Sequence, residues 1–378
     1  MQLSVVILNY NVRWFLQQCL DSVIRATANL KAEIIVVDNA SPDDSCAMVR
    51  ENFPNVILLE NNENSGFPKG NNIGVARAKG ELICILNPDT VVAEDTFVKA
   101  IEFYNQQENP GIVGVKLIDG RGNFLPESKR GVPTPWVAFT KVAGLYKFSN
   151  RFGKYYASHL DENQSGEVEI LVGAFMLMKR DLYLEVGGFD ENCFMYSDDI
   201  DLSYTVLKSG RKNYYFAGTS VIHYKGESTI KDQKYMMRFR EAMGFFYKKH
   251  FRKSVLFDVF MKTGAYFFSV FKKNQSGEKP VVTNYRLFSD DETLVRKLRK
   301  MTGKPVDFQA STVSADFPQS SGTEIIFDSN HVNYRQIISF MESNRQSAFT
   351  YKIFHKSAQF AVGSDSSNDR GEVLRLVD

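Results

Sequence analysis

The sequence has few of the features that mark secreted or membrane-spanning chains. Its four cysteines, at positions 19, 46, 84 and 193, are spaced neither as metal ligands nor as a disulfide framework. No uncharged run reaches the ~20 residues that a membrane span needs, and the first residues predict a strand where a signal peptide would have a basic region. These absences predict a cytoplasmic chain with reduced thiols.

Two common phosphate-binding motifs are also missing. The first predicted strand is not followed by a GxGxxG turn, and the chain has no GxxxxGK[ST] loop. The net charge of only +2 gives no indication of nucleic-acid binding. With 378 residues the chain exceeds one typical core, so we predict at least two domains.

Short apolar segments alternate with helical patterns in the first 90 residues. The predicted strands are 3–8, 33–37, 56–60 and 82–86. This alternation is typical of right-handed βαβ units and a parallel sheet. The segment Leu82–Leu86 is apolar throughout, as expected for a strand buried on both faces. The sequence therefore predicts an α/β fold with this strand near the centre of its sheet.

Polar residues follow three of these strands, as Asp38-Asn39, Asn61-Asn62 and Asn87-Pro88-Asp89. The carboxyl ends of parallel strands lie at one edge of a sheet, where open α/β folds bind ligands. We therefore expect a nucleotide site there. Asp89 could bind a divalent cation that in turn binds a diphosphate, or it could cap a helix beginning near Ala93.

Three further patterns each allow two interpretations. Gly66, Gly70 and Gly74 recur every four residues, which suits either close helix packing or approach of the backbone to a ligand. The acidic turn, residues 198–201, places Asp198, Asp199 and Asp201 at a predicted helix start. These carboxylates could complement the helix dipole, or mutual repulsion could raise one pKa and make that group a general base.

His223 ends a predicted strand in a polar turn, where it is either structural or a metal ligand. Ser41 is expected to cap a helix entered at Pro42. Residues 112–169 are less regular, a pattern typical of lids and acceptor loops.

Residues 234–273 contain ten Lys or Arg residues against Glu241 and Asp258, a local net charge of +8. Apolar and aromatic residues alternate with this charge, which favours amphipathic helices on an anionic membrane surface. The alternative is a helix that packs its apolar face on the core. We divide the chain into a domain of residues 1–232, a basic segment with a linker at 233–279, and a small α/β domain at 280–378. Oligomerisation or partner docking is the expected role of the last domain.

Seven motifs share their order and spacing with one known family. Residues 1 to about 230 resemble family-2 inverting glycosyltransferases of the GT-A fold, a Rossmann-like mixed sheet flanked by helices, and most of all the bacterial rhamnosyltransferase branch. The motifs are SVVILNYN (4–11), EIIVVDNAS (33–41), NENSGFPKGNNIG (62–74), LNPDT (86–90), GAFMLMKRD (173–181), GGFDENCFMYSDDIDLSY (187–204) and IHYKGEST (222–229).

The resemblance implies roles for individual residues. Asp199 matches the catalytic base, and Asp198, which stands where the family often has Glu, is a substitute candidate. Asp89 takes the last position of the DxD-type metal motif, and His223 matches a histidine that reaches the metal, Mg²⁺ or Mn²⁺. Asp38 would bind the pyrimidine base. The other donor-site candidates are Asn9, Asn62, Gly66, Asn72 and Asn87, the last of which replaces the first acid of DxD.

The resemblance further implies a dTDP- or UDP-linked donor, with rhamnose as the candidate sugar, and a lipid-linked or polysaccharide glycan as acceptor at the inner face of the cell membrane. Two alternatives remain open. A nucleotidyltransferase would also bind a nucleotide at the strand edge, but Asn9-Tyr10-Asn11 does not supply the basic, glycine-rich loop that such enzymes usually have. A catalytically silent nucleotide-sugar-binding scaffold would explain the incomplete metal motif.

Overall fold

The computed structural model describes residues 1–134, 137, 155–193, 196–225, 233–251, 281–310, 322–366 and 370–376, with the backbone alone for 233–240. Within these residues the strands form two sheets, one of nine strands and one of six. The division of the chain into segments at residues 232 and 279, which the sequence suggests, stays a prediction.

The first sheet is mixed. Its strands are β1 Leu3–Asn9, β2 Ala32–Asp38, β3 Ile57–Glu60, β4 Leu82–Leu86, β5 Thr90–Val92, β6 Pro110–Ile118, β7 Gly166–Val168, β8 Phe175–Lys179 and β9 Lys212–His223. They lie in the order β3-β2-β1-β4-β8-β6-β9-β5, and β7 pairs with β9. The four predicted strands are mutually parallel, whereas β8 is antiparallel to β4 and β6. The predicted central strand β4 indeed lies inside the sheet, buried throughout.

Helices cover both faces of the first sheet. They are α1 Arg13–Thr27, α2 Ser45–Asn52, α3 Gly66–Arg77, α4 Thr96–Gln106, α5 Arg180–Glu185, α6 Asp198–Lys208 and α7 Gln233–His250. One core lies between the sheet and α1, α2 and α4, and another lies between the opposite face and α3, α5 and α6. In α1 the buried apolar residues recur at helical spacing, as the sequence predicts.

The recurring glycines of α3 let this helix approach the sheet. A Cβ at Gly70 would lie 2.4 Å from Leu8, and one at Gly74 would lie 2.4 Å from Val6. Real Cβ atoms do not approach other atoms so closely, so any side chain here would push the helix from the sheet. Close packing is therefore the reason for these two glycines.

The second sheet also combines parallel and antiparallel strands. Its strands are β10 Asn284–Phe288, β11 Val306–Gln309, β12 Thr323–Asp328, β13 Thr350–His355, β14 Phe360–Gly363 and β15 Glu372–Arg375, with helices α8 Glu292–Thr302 and α9 Tyr334–Ser343. The order is β11-β10-β12-β13-β14-β15. This second sheet with its helices agrees with the α/β composition that the sequence predicts for residues 280–378. We call residues 281–376 the C-terminal unit.

The C-terminal unit packs directly on the first sheet. One continuous core contains Phe15, Val91 and Ile222 from the first part of the chain together with Phe327 and Ile337 from the C-terminal unit. The rings of Trp14 and Phe360, one from each part, are also in contact, with their centroids 4.7 Å apart. The two sheets therefore share buried apolar surface.

The described half of α7 packs its apolar face on the first sheet's domain. Met243, Phe246 and Tyr247 are buried against Ile170 and Ile200. This packing is the alternative to membrane binding that the sequence analysis leaves open. Residues 252–280 lie outside the described residues, and so do residues 138–154 of the predicted lid. Among the helices that the structure describes, none is long and apolar enough to cross a membrane.

Candidate active site

The ends of β1 and β2 form the first part of the site. Asn9 and Asp38 are directly paired in the register of these strands, and the Asn9 amide donates to Asp38 Oδ1 at 2.7 Å. The backbone N–H and hydroxyl of Ser41 donate to the two Asp38 oxygens at 2.8 and 2.6 Å. Ser41 therefore orients Asp38. The prediction that Ser41 caps a helix is wrong, because α2 begins at Ser45 with Asp44 at its N-cap position.

An amide cluster extends this corner toward β3 and α3. Asn39 accepts a hydrogen bond from the Asn61 amide at 2.9 Å and donates to Asn64 at 3.0 Å. It also donates to the carbonyl of Gly66 at 3.2 Å, where α3 begins. Asn62 is exposed beside this cluster. The sequence locates the cluster but does not distinguish Asn61 and Asn64 from Asn62.

Asn72 serves the neighbouring loop in this structure. Its amide donates to the Phe189 carbonyl at 2.9 Å and to Glu191 at 2.9 Å. Its oxygen accepts from the hydroxyl of Tyr183 and from the Phe189 N–H. These contacts fix the Gly187–Gly188 turn, whose two residues have positive φ.

Asp89 and His223 meet on the two strands at the far edge of the sheet. Asp89 immediately precedes β5, and Thr90 is paired with His223 on β9. Asp89 Oδ1 lies 3.5 Å from His223 Nε2, and both residues are at most 5% exposed. The alternative that Asp89 caps the next helix is wrong, because β5 intervenes and α4 has Asp95 at its N-cap position.

Asn87 completes this pair. Its amide nitrogen lies 3.3 Å from His223 Nε2; because an imidazole nitrogen has one lone pair, a metal ion at Nε2 would replace this hydrogen bond. The side-chain oxygen of Asn87 is buried without a hydrogen-bond partner among the described residues. The carboxylate of Asp89 and the amide oxygen of Asn87 are hard oxygen donors that suit Mg²⁺ or Mn²⁺ when diphosphate and water complete the coordination, and His223 could add a nitrogen donor. Within the described residues no group of three or more His, Cys, Asp or Glu side chains could hold a metal ion by itself.

A second ion pair lies beside His223. Lys225, which has φ of 59° at the end of β9, pairs with Glu127. Burial opposes ionisation of Glu127, but the charge of Lys225 more than offsets this, and the pKa of Glu127 is lowered. His223 also contributes to this shift, so Glu127 lies within electrostatic reach of the histidine.

The acidic turn places Asp199 beside a buried arginine. Asp199 Oδ2 accepts hydrogen bonds from Arg130 at 2.6 Å and from the Gly173 N–H at 3.2 Å. Both of these hydrogen bonds are made by Oδ2, so neither of them occupies Oδ1. The charge of Asp199 raises the pKa of Arg130 although burial opposes this. Arg130 also donates to the Leu171 carbonyl at 3.1 Å, which fixes its side chain.

The neighbouring carboxylates of the turn have different environments. Burial raises the pKa of Asp198, and the charge of Asp199 adds to this shift. Asp201 is bound by two groups at the end of α7, with Lys249 at 2.8 Å and His250 at 2.6 Å. Asp201 therefore attaches α7 to α6, which the sequence does not predict.

A short segment before β8 connects Asp199 with the Asp89–His223 pair. Gly173 donates to Asp199, and the carbonyl of the next residue, Ala174, accepts from the N–H of Asn87 at 3.1 Å. Asp199 and Asn87 are thus bound to adjacent residues of the same segment. The site is one continuous edge that runs from Asp38 to Asp199.

Comparison with known proteins supplies the family. Residues 4–187 match the family model described as "Glycosyl transferase family 2". These residues belong to glycosyl transferase family 2. The match confirms the predicted family and, with the mixed sheet described above, the predicted GT-A fold class. It ends before the acidic turn, so Asp199 and His223 lie beyond the matched residues of the family-2 domain.

Two curated relatives and one solved structure are similar to this chain. The N-acetylglucosaminyl-diphospho-decaprenol L-rhamnosyltransferase of Mycobacterium tuberculosis is 26% identical over 242 residues, 61% of this chain and 78% of that protein. The minor teichoic acid biosynthesis protein GgaB of Bacillus subtilis is 24% identical over 328 residues, 82% of this chain and 33% of that protein. The mannosyltransferase PcManGT from Pyrobaculum calidifontis, solved with GDP-Man and Mn²⁺, aligns over 70% of this chain and 69% of its own with 20% identity and a TM-score of 0.47.

Proposed function

We propose that this chain is an inverting, metal-dependent glycosyltransferase that moves a sugar from a nucleoside diphosphate to a glycan acceptor. The observation that supports this best is the hydrogen bonding of residues 173 and 174. It brings the carboxylate of Asp199 and the Asp89–His223 pair to one stretch of the sheet edge. A base for the acceptor and a pair of metal ligands for the leaving diphosphate are the two parts that such a reaction requires.

The strand order gives the direction in which the donor would lie. Asp38 and Asn9 end the neighbouring strands β2 and β1, Asn87 follows β4, and Gly173 precedes the next strand, β8. Three interstrand steps cover about 14 Å. In our proposal the base contacts Asp38 and the amide cluster, the diphosphate lies at Asn87 and Asp89, and the sugar faces Asp199.

Asp199 acts as the base in this proposal. The acceptor hydroxyl oxygen bonds to the anomeric carbon while the bond from that carbon to the diphosphate oxygen breaks. Asp199 Oδ1 takes the hydroxyl proton, and the diphosphate leaves with the bonding electrons, so the anomeric configuration inverts. Arg130 holds Oδ2 in an ion pair, which leaves Oδ1 directed toward the substrate.

Asp89 and His223 would hold the metal ion, with the oxygen of Asn87 as a third donor. A bound Mg²⁺ or Mn²⁺ neutralises charge on the leaving diphosphate. Lys225 lies two residues after His223, which ends β9, and would contact the same phosphates.

The acceptor and the donor sugar are proposed from the relatives. The relative from M. tuberculosis is named for transfer of L-rhamnose to a diphospho-decaprenol-linked sugar, and GgaB is named for teichoic acid synthesis. We therefore propose a cell-surface glycan precursor as acceptor, L-rhamnose as the first donor sugar to test, and action at the inner membrane face. The basic residues of 234–273 would contact that surface.

A thermal-shift screen tests the donor site. Wild type is heated with dTDP, UDP, GDP and ADP, each with and without Mn²⁺, beside Asp89→Ala. Ligand binding to the folded chain raises the melting temperature by mass action. We expect dTDP or UDP to raise it with Mn²⁺ in wild type only. Absence of a shift with every diphosphate would overturn the assigned donor site.

A pair of isosteric variants tests the base. Asp199→Asn should bind donor like wild type but lose about 100- to 10,000-fold in kcat, the usual contribution of a general base. Asp198→Asn is the matched control on the adjacent residue, and it should retain most of the activity. A larger loss in Asp198→Asn than in Asp199→Asn would transfer the role to Asp198.

A further inference from the structure

Asp89 precedes β5 and His223 ends β9, which are the two strands at one edge of the first sheet, and the C-terminal unit covers that edge. β5 has only three residues and pairs with β9 alone within the described sheet. Such a short edge strand has little stability of its own. The core shared with the C-terminal unit includes Val91 of β5 and Ile222 of β9, both fully buried.

The amino end of α9 binds the segment that follows β5. The backbone N–H groups of Tyr334 and Arg335 donate to the two oxygens of Glu94 at 2.8 and 3.0 Å. A carboxylate at a helix amino terminus is favoured by the helix dipole. The Tyr334 hydroxyl donates to Asp21 of α1 at 2.6 Å, which adds a second attachment.

A buried chain of hydrogen bonds runs from the C-terminal unit to Asp89. His355 Nε2 lies 3.1 Å from the Gln18 side-chain oxygen, and the Gln18 amide donates to the Tyr224 hydroxyl at 2.8 Å. The Tyr224 N–H then donates to the Asp89 carbonyl at 3.0 Å. Gln18 is fully buried, and Tyr224 is the residue directly after His223. One tyrosine thus links both candidate metal ligands to the C-terminal unit.

We infer that the C-terminal unit is a positioning element of the donor site, and that Gln18, Tyr224 and His355 set the geometry of Asp89 and His223 for metal binding. This role rests on the proposed metal-dependent function. It assigns the C-terminal unit a part in the transferase site itself.

The inference predicts a loss of metal affinity that is separate from a loss of stability. Gln18→Leu keeps the side-chain size and removes both hydrogen bonds, while Tyr224→Phe keeps the ring and removes the hydroxyl. Residues that orient metal ligands typically change metal affinity 10- to 100-fold when they are replaced. We expect about a tenfold weaker Mn²⁺ affinity in each variant.

The experiment measures Mn²⁺ binding to the full chain by electron paramagnetic resonance, with saturating dTDP or UDP, at a temperature where circular dichroism shows every variant folded. Leu298→Ala is the control, because Leu298 is fully buried in a separate core of the C-terminal unit and does not contact the chain of hydrogen bonds. It should destabilise the unit and leave Mn²⁺ affinity unchanged.

Four outcomes distinguish the positioning role from the proposed metal site. Weaker binding in Gln18→Leu and Tyr224→Phe, with wild-type affinity in Leu298→Ala, supports the positioning role. Wild-type affinity in all three variants overturns that role while the proposed metal site stands. Equal weakening in all three variants also overturns it, because the C-terminal unit would then affect Mn²⁺ affinity only by stabilising the fold. If wild type binds Mn²⁺ no better than Asp89→Ala, the proposed metal site itself fails and the inference falls with it.

Discussion

His355 gives a defined pH dependence of stability. Its ring is buried on β13 and stacks on Phe360, with the ring centroids 4.8 Å apart. Burial lowers the pKa of His355 from 6.5 to about 4; the charge of Asp21 opposes this and that of Arg25 adds to it. In the folded chain at neutral pH the ring is therefore uncharged.

The sign of the effect follows from where the proton binds. The unfolded chain binds the His355 proton more tightly than the folded chain does. The contribution of the neutral ring to the free energy of unfolding is therefore fully present above pH 6.5 and is lost as pH falls toward 4. From these two pKa values, linkage predicts a loss of about 2 kcal/mol at pH 5 and about 3 kcal/mol at pH 4, relative to pH 8.

The assay must isolate His355, because two carboxylates act in the opposite sense over the same range. Burial raises the pKa of Asp198 to about 7 and that of Asp365 to about 6. Both groups favour the folded chain as pH falls. Urea unfolding of wild type and His355→Gln at each pH removes their contribution, since it is common to both proteins.

We expect the wild-type advantage over His355→Gln in free energy of unfolding to shrink by about 3 kcal/mol between pH 8 and pH 4. The variant cannot take up the proton, so it does not lose this stability. A difference that stays constant across the range would refute the assignment of a neutral, buried imidazole.

Three further predictions concern packing and charge. Arg130→Ala should lower kcat about 100-fold at saturating donor by misplacing the base, and an unchanged kcat would show that Arg130 does not orient it. Gly74→Ala should lower the free energy of unfolding in urea by about 1–3 kcal/mol, because its Cβ would lie 2.4 Å from a β1 methyl group. Gly244→Ala is the control and should not, because among the described residues no atom outside the local backbone of α7 lies within 4 Å of a Cβ at this position. Lys352→Met should cost about 3–5 kcal/mol in the same assay, because it leaves the buried carboxylate of Glu324 unpaired, and adding Glu324→Leu should recover most of this. Equal stability of the single and double variants would contradict that reasoning.

The sequence predicts the parallel part of the first sheet because local patterns determine it. Apolar runs followed by polar residues identify β1, β2 and β4 and the edge at which they end. The pairing of β5 with β9 is different, because Thr90 and His223 are distant in sequence. A three-residue strand after Asn87-Pro88 resembles a turn, so local patterns do not reveal that Asp89 and His223 are neighbours, although the family resemblance assigns both to the metal.

The role of Arg130 was not predicted, because its contact with Asp199 also joins residues that are distant in sequence. Arg130 is 69 residues from Asp199 in sequence and lies in a loop with no helical or strand periodicity. A single arginine in a loop is normally exposed. The carboxylates of the acidic turn do indicate that a cation is needed nearby, but they do not say which one. In the same way, the polar residues after β3 indicate a cluster without distinguishing Asn62 from its neighbours.

The ion pairs of the site explain why metal and donor should bind together. Arg130 is already paired with Asp199, and Lys225 is paired with Glu127, so neither cation is available in full to an incoming diphosphate. Within the described residues Asp89 has no Lys or Arg in ion-pair contact, and His223 Nε2 lies 3.5 Å from its carboxylate. A diphosphate alone would therefore meet uncompensated negative charge at Asp89, whereas a divalent cation removes that repulsion. Because coupling between two ligands is reciprocal, the diphosphate must strengthen metal binding by the same factor.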